Sequence, residues 1–204
     1  MVITGRDGFF SAGVDLDVAP QLDAAGQRAM VTGINRLFGR WYGFPRPLVC
    51  AVNGHAVAGG LILALCGDHR VGARRGRFGV TELRVGIPYP AAAMLVLKSE
   101  LTPGVARRLV LGAGLVEPEA ALRMGLVDEL QDDGSLLQRS LDVASELAAL
   151  PSETYSRVKR QLRGAALERV ERILAGKADP VASSWVGGEA ADAAAAILDR
   201  GEPG

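Results

Sequence analysis

The 204-residue chain holds two cysteines, two histidines and no excess of charge of either sign, with 23 basic against 23 acidic side chains. Each shortage excludes something. Cys50 and Cys66 both sit in apolar runs, which points to buried thiols rather than a disulfide framework. Neither has metal-ligand spacing to His55 or His69. Zero formal net charge and a pI near 6.7 argue against a nucleic-acid footprint, which needs a basic excess on one face. The longest apolar stretch, Ala56 to Cys66, is eleven residues and contains Gly59 and Gly60. A bilayer needs ~20. The opening Met-Val-Ile-Thr-Gly lacks the basic flank and long apolar core of a signal peptide. The G-x-G-x-x-G dinucleotide fingerprint is missing as well. These absences predict a soluble, cytoplasmic-type protein with no metal, no redox cofactor, no nucleic-acid partner and no membrane partner.

What remains is a chain that is 49% apolar and long enough to bury a real core in one domain. Val2 to Thr4 reads as a strand, followed by a Gly-punctuated loop from Gly8 to Leu16. From Asp23, Met30, Ile34, Leu37 and Phe38 recur at helical spacing and predict one buried face. Leu48 to Val52 is a continuous apolar run of the kind found in a fully buried strand. Ala58-Gly59-Gly60 leads into Leu61 to Cys66, apolar all round and so a buried helix. A strand over Asp68 to Ala73 and a short segment over Phe78 to Leu83 precede a turn at Gly86 to Pro90. Helices then follow over Ala91 to Glu100, Pro103 to Leu111 and from Pro118 to Met124, with a last strand at Val127 to Leu130. Beyond residue 136 the pattern is helix only, ending in an Ala-rich helix over Glu189 to Leu198. Strands alternating with helices, then helices alone, predict an α/β core over residues 1–135 and a helical C-terminal region over 136–204.

Three local features carry chemistry. The Phe10 to Leu16 loop joins a strand to a helix, and an ordinary Gly turn with an Asp near a helix start also explains it. Gly59 and Gly60 open a buried helix, where free N–H groups and the helix dipole favour an anion or a developing oxyanion. Tight helix packing is the other explanation for the same pair. Glu82 stands among Val80, Leu83, Val85 and Ile87, where desolvation would lift its pKa into the range of a general base. Locally, a surface Glu paired with Arg84 or Arg77 is the favoured explanation. His55 and His69 form no Ser-His-Asp or Cys-His constellation and are left out of the chemistry.

In order along the chain, these segments resemble the crotonase superfamily, the enoyl-CoA hydratase/isomerase family. The resemblance runs from Val2 to Lys159. It rests on Val-Ile-Thr-Gly with Phe10-Ser11-Ala12-Gly13-Val14-Asp15-Leu16, on Ala51-Val52-Asn53-Gly54-His55-Ala56 with Ala58-Gly59-Gly60 and Asp68, on Phe78-Gly79-Val80-Thr81-Glu82 with Gly86-Ile87-Pro88, and on Ala120 to Glu129. It implies a ββα spiral core with a helical C-terminal extension, here without the family's N-terminal strands, and assembly as a homotrimer or hexamer.

The resemblance also implies roles. The backbone N–H groups of Val14 and Gly59 would hold the thioester oxygen of an acyl-CoA as an enolate forms. Ala12, Asp15, Leu16, Ala56, Ala58, Gly60, Ile62, Thr81 and Val85 would bind the substrate, and CoA would enter only as part of it. Family hydratases use two glutamates. The first falls at Ile62 here, which cannot position water, and the second matches Glu82. One carboxylate suits the Δ3,Δ2-enoyl-CoA isomerase branch, with Glu82 carrying a proton from C2 to C4. Another crotonase reaction, including a hydratase-like one, and a non-catalytic acyl-CoA-binding subunit remain the alternatives. Pro90-Ala91-Ala92-Ala93 departs from the Gly-rich turn of many members.

Overall fold

The computed structural model describes residues 1–15, 18–176 and 179. Leu16 and the helix expected over Glu189 to Leu198 lie outside the described residues.

The chain winds through repeated strand–strand–helix turns. The first comprises β1 (Val2–Thr4), β2 (Phe9–Ser11) and α1 (Ala24–Tyr42). The second comprises β3 (Val49–Val52), β4 (His55–Val57) and α2 (Gly59–Leu65). A third begins with β5 (His69–Ala73) and β6 (Phe78–Gly79), then passes through a 3₁₀ turn at Glu82–Val85 into α3 (Ala91–Glu100) and α4 (Pro103–Gly112). Next come β7 (Leu115–Val116), α5 (Pro118–Met124) and β8 (Glu129–Gln131), and finally α6 (Asp133–Ala148) and α7 (Ser152–Leu174). The first strands of the three turns enter one sheet, which β8 completes, in the order β1-β3-β5-β8, all parallel. The second strands enter another, which β7 completes as β2-β4-β6-β7, parallel except where β7 pairs antiparallel with β6.

β3 is buried on both faces, and its alternation sorts its side chains between two cores. Cys50 and Val52 face the main core with α2 and α3, whereas Val49 and Ala51 face Leu136 and Val143 of α6. Both cysteines are fully buried and free, and burial pushes the Cys50 thiol up to about 12. Asp23 caps α1 by accepting from the Gly26 N–H at 2.7 Å. The buried residues of α1 are Val31, Asn35, Phe38 and Tyr42. Leu37, expected in that face, is 43% exposed, because the helix turns a face one position away toward the core.

α7 is held by a buried ionic cluster. Asp68 Oδ2 accepts from the Leu48 N–H at 2.9 Å, the Tyr155 hydroxyl at 2.9 Å and Lys159 Nζ at 2.7 Å. Arg163 lies 3.3 Å from Asp68 Oδ1 and donates to the carbonyls of Tyr42, Cys66 and Gly67. Every charge there has a partner, the condition under which buried ions are tolerated. No helix among the described residues is long and apolar enough to cross a membrane.

Candidate active site

Three chain segments meet where the second sheet hands over to helices. The first follows β2. Gly13 has φ of +90°, and a Cβ there would lie 2.9 Å from the backbone nitrogen of Gly59. Glycine is required on both counts. Residue 60 is equally constrained, since a Cβ would fall 2.0 Å from the Ser11 carbonyl oxygen. The two glycine positions thus let the Ser11–Val14 strand end lie directly on the start of α2. Gly59 is the first residue of α2, so its N–H has no acceptor within the helix. Among the described residues nothing accepts from the Val14 N–H either. The helix dipole adds positive potential at that end.

The residue before the helix is strained. Ala58 has φ 53° and ψ −130°, a conformation that residues bearing a Cβ rarely adopt. Its N–H donates to the Gly79 carbonyl at 2.9 Å, the last rung between β4 and β6. That rung brings in the third segment, which runs from Gly79 into Glu82.

Glu82 starts the 3₁₀ turn, whose end is closed by Gly86 in the left-handed region at φ 66°. The surface pairing open to Glu82 in the sequence does not form. Arg77 pairs with Glu117, and Arg84 donates through Nε to the Ala113 carbonyl. Glu82 is left half-buried, and its Oε2 is buried without a hydrogen-bond partner. Burial pushes its carboxyl above the usual carboxylate range, although backbone amides at Glu82 and Thr81 and the Tyr89 hydroxyl favour the charged form. Val85 and Ile87, on either side of Gly86, pack with Val14 and with Val31 and Ile34 of α1. Val14 therefore shares one apolar patch with the residues that follow Glu82 in the chain.

The other expected residues divide into two groups. Ala12 and Asp15 are exposed, and Ala58, Thr81 and Val85 are half-buried. Ala56, Gly60 and Ile62 are buried, with Ala56 and Ile62 showing no accessible surface. As they stand these three are packed in the interior. His55 stacks on Phe9 with ring centroids 4.6 Å apart, and His69 Nε2 lies 2.9 Å from Glu129 Oε1. Both are structural. No cluster able to hold a metal ion occurs among the described residues.

Sequence reasoning missed two supports. Tyr89, 8% exposed, turns its hydroxyl toward Glu82. Asn35 is buried on α1, where it accepts from the Ala92 N–H at 2.8 Å and donates to Asp179 at 2.7 Å. Asp179 itself accepts from the Ala91 N–H at 2.8 Å, so the pair caps α3 just beyond Tyr89. A polar residue in the apolar face of α1 was the available signal for Asn35.

Comparison with known proteins agrees with this architecture. A family model for enoyl-CoA hydratase/isomerase matches residues 1–183, and the chain belongs to that family, the crotonase superfamily. A Thermus thermophilus protein provisionally named an enoyl-CoA hydratase is 35% identical, over 91% of this chain and 74% of its own. Further curated relatives, named as hydratases or dehydratases, are spanned over only 56% to 63% of their length. The structure of human mitochondrial Δ3,Δ2-enoyl-CoA isomerase superposes with a TM-score of 0.89 at 26% identity, covering 98% of this chain and 78% of that one. Two structures of one Mycobacterium tuberculosis protein also match, with TM-scores of 0.81 and 0.79 at 32% and 31% identity. They cover 87% and 86% of this chain and 75% and 76% of theirs. One is named a probable enoyl-CoA hydratase and the other an enoyl-CoA isomerase.

Proposed function

We propose that the protein acts on acyl-CoA thioesters as a Δ3,Δ2-enoyl-CoA isomerase with a single base. The observation that carries this reading is the pairing of Ile62 with Glu82. The position where family hydratases keep their first glutamate is a fully buried isoleucine, while the second position holds a carboxylate with one buried, unpartnered oxygen. One base and no second carboxylate to hold water suits moving a proton better than adding water.

The reaction follows from these parts. Glu82 removes a proton from C2 of a 3-enoyl thioester, and the electron pair moves onto the thioester oxygen to give a dienolate. The N–H groups of Val14 and Gly59 receive that oxygen, with the α2 dipole adding to their field. The protonated Glu82 then gives its proton to C4, and the double bond comes to rest between C2 and C3. Burial of the carboxylate limits exchange of the proton with water. The wider reading includes assembly as a trimer or hexamer and no cofactor beyond the CoA of the substrate.

A hydratase-like activity is the second reading, favoured by the hydratase names among the relatives. Absorbance of the conjugated thioester separates the two on the purified protein. A 3-enoyl-CoA should gain conjugation while a 2-enoyl-CoA loses little. Comparable rates on both would replace the isomerase with the hydratase-like reading. Silence on both, in a folded protein that binds CoA, would leave a non-catalytic acyl-CoA-binding subunit.

A further inference from the structure

Glu82 and Tyr89 stand at opposite ends of one folded-back segment. The 3₁₀ turn Glu82–Val85 closes on Gly86, and the Ile87 N–H returns to the Glu82 carbonyl at 3.0 Å. Pro88 and Pro90 flank Tyr89 and restrict the backbone on both sides of it. The ring is locked in the main core. Two buried polar atoms in this segment have no hydrogen-bond partner, the Tyr89 hydroxyl and Oε2 of Glu82. One can donate and the other can only accept while ionised. Burial raises the phenol pKa, and the neighbouring Glu82 charge raises it further, which keeps the hydroxyl protonated as a donor.

We propose that Tyr89 is the positioning residue of Glu82: its hydroxyl takes up Oε2, fixes the plane of the carboxylate and leaves Oε1 as the oxygen that carries the proton. This rests on the reading of Glu82 as the base. Oε2 has almost no accessible surface, so contact with a substrate falls to Oε1. With Oε2 held, the same oxygen takes the proton at C2 and returns it at C4, on one face of the acyl chain. Hydrogen bonds of this kind are often incomplete in an unliganded site and tighten around the substrate.

The test compares Tyr89→Phe, Glu82→Gln and the full chain carrying 3-fluorotyrosine at position 89 alone, all assayed on a 3-enoyl-CoA across pH. Tyr89→Phe removes a hydrogen bond to the charged carboxylate. Its kcat should fall about tenfold with KM little changed, and the acid limb of its kcat profile should move to higher pH. Fluorotyrosine is a stronger donor of the same shape and should move that limb to lower pH. In D2O, Tyr89→Phe should place more deuterium in the product, because a loosened carboxylate exchanges before it returns the proton. An inactive Glu82→Gln beside a Tyr89→Phe with unchanged kcat and acid limb overturns the role of Tyr89 and leaves the base in place. An active Glu82→Gln overturns both. If Tyr89→Phe does not fold, the fluorotyrosine protein decides, and an unmoved acid limb counts against the proposal.

Discussion

Gly13 rests on the amide of Gly59, so closely that a methyl group at residue 13 would lie 2.9 Å from that nitrogen. The contact joins the two segments whose N–H groups form the proposed oxyanion pair. Gly13→Ala should therefore lower kcat/KM by ~10²–10³, the effect of losing an oxyanion donor. The left-handed φ adds a stability loss of about 1 kcal/mol. Steady-state kinetics beside thermal melting checks both. Unchanged kinetics with a lowered melting temperature would make the contact purely structural.

Glu82→Gln should separate activity from stability in opposite directions. Turnover on a 3-enoyl-CoA should fall ~10²–10⁴-fold, the range for removing a general base. A carboxyl whose folded pKa lies above its unfolded value binds its proton more tightly in the native state. Its ionisation therefore costs stability as pH rises through that raised pKa, and the full penalty is present above it. The neutral amide escapes the penalty, so the variant should melt higher than the parent at neutral pH and lose that advantage in acid. Activity of the parent should fall as pH drops through the same raised pKa.

Ala58 should be improvable. Its φ of 53° is strained for any residue with a Cβ. Ala58→Gly relieves this against the entropy of a freer unfolded chain, and should stabilise the protein by about 1 kcal/mol. Urea unfolding at constant slope would measure it. A loss of stability would mean that the methyl group packs better than the backbone suffers.

The Asp68 cluster should behave as one unit. Asp68→Ala strands Lys159 and Arg163, whose side chains are 8% and 5% exposed, and should cost about 3–5 kcal/mol. The loss should appear as lowered protection of α7 amides in hydrogen exchange. A change under about 1 kcal/mol would show that water replaces the carboxylate.

How much of this was legible in the sequence depended on whether the determinants were local. α3 and α5 occur over Ala91–Glu100 and Pro118–Met124, as the periodicity predicts, because proline openings and a glycine stop lie within the segments themselves. β2, β4 and β7 did not stand out. Each is two or three residues long and exists through pairing with distant partners, as when Ser11 meets Ala56. The Gly8 to Leu16 stretch expected as a loop accordingly contains a strand at Phe9–Ser11. The environment of Glu82 lay beyond local reading for the same reason. Its neighbours Arg77 and Arg84 were available as partners, and only tertiary packing draws them to Glu117 and Ala113. Asn53, Asp68 and the glycines were visible as a pattern, but the side-chain partners of Asp68 come from 87 to 95 residues further along.

The division between main chain and side chain at this site has an evolutionary meaning. The proposed holder of the thioester oxygen is built from peptide nitrogens, so most mutations at Val14 leave its donors chemically intact. The proposed proton carrier is a side chain on another turn of the spiral, and one codon can replace it. A lineage with this layout can exchange reactions at residues 62 and 82 while inheriting its anion-binding pair nearly untouched. Specialisation would then proceed by editing the carboxylates, with the glycine contact at 13 and 59 as the part that cannot be edited.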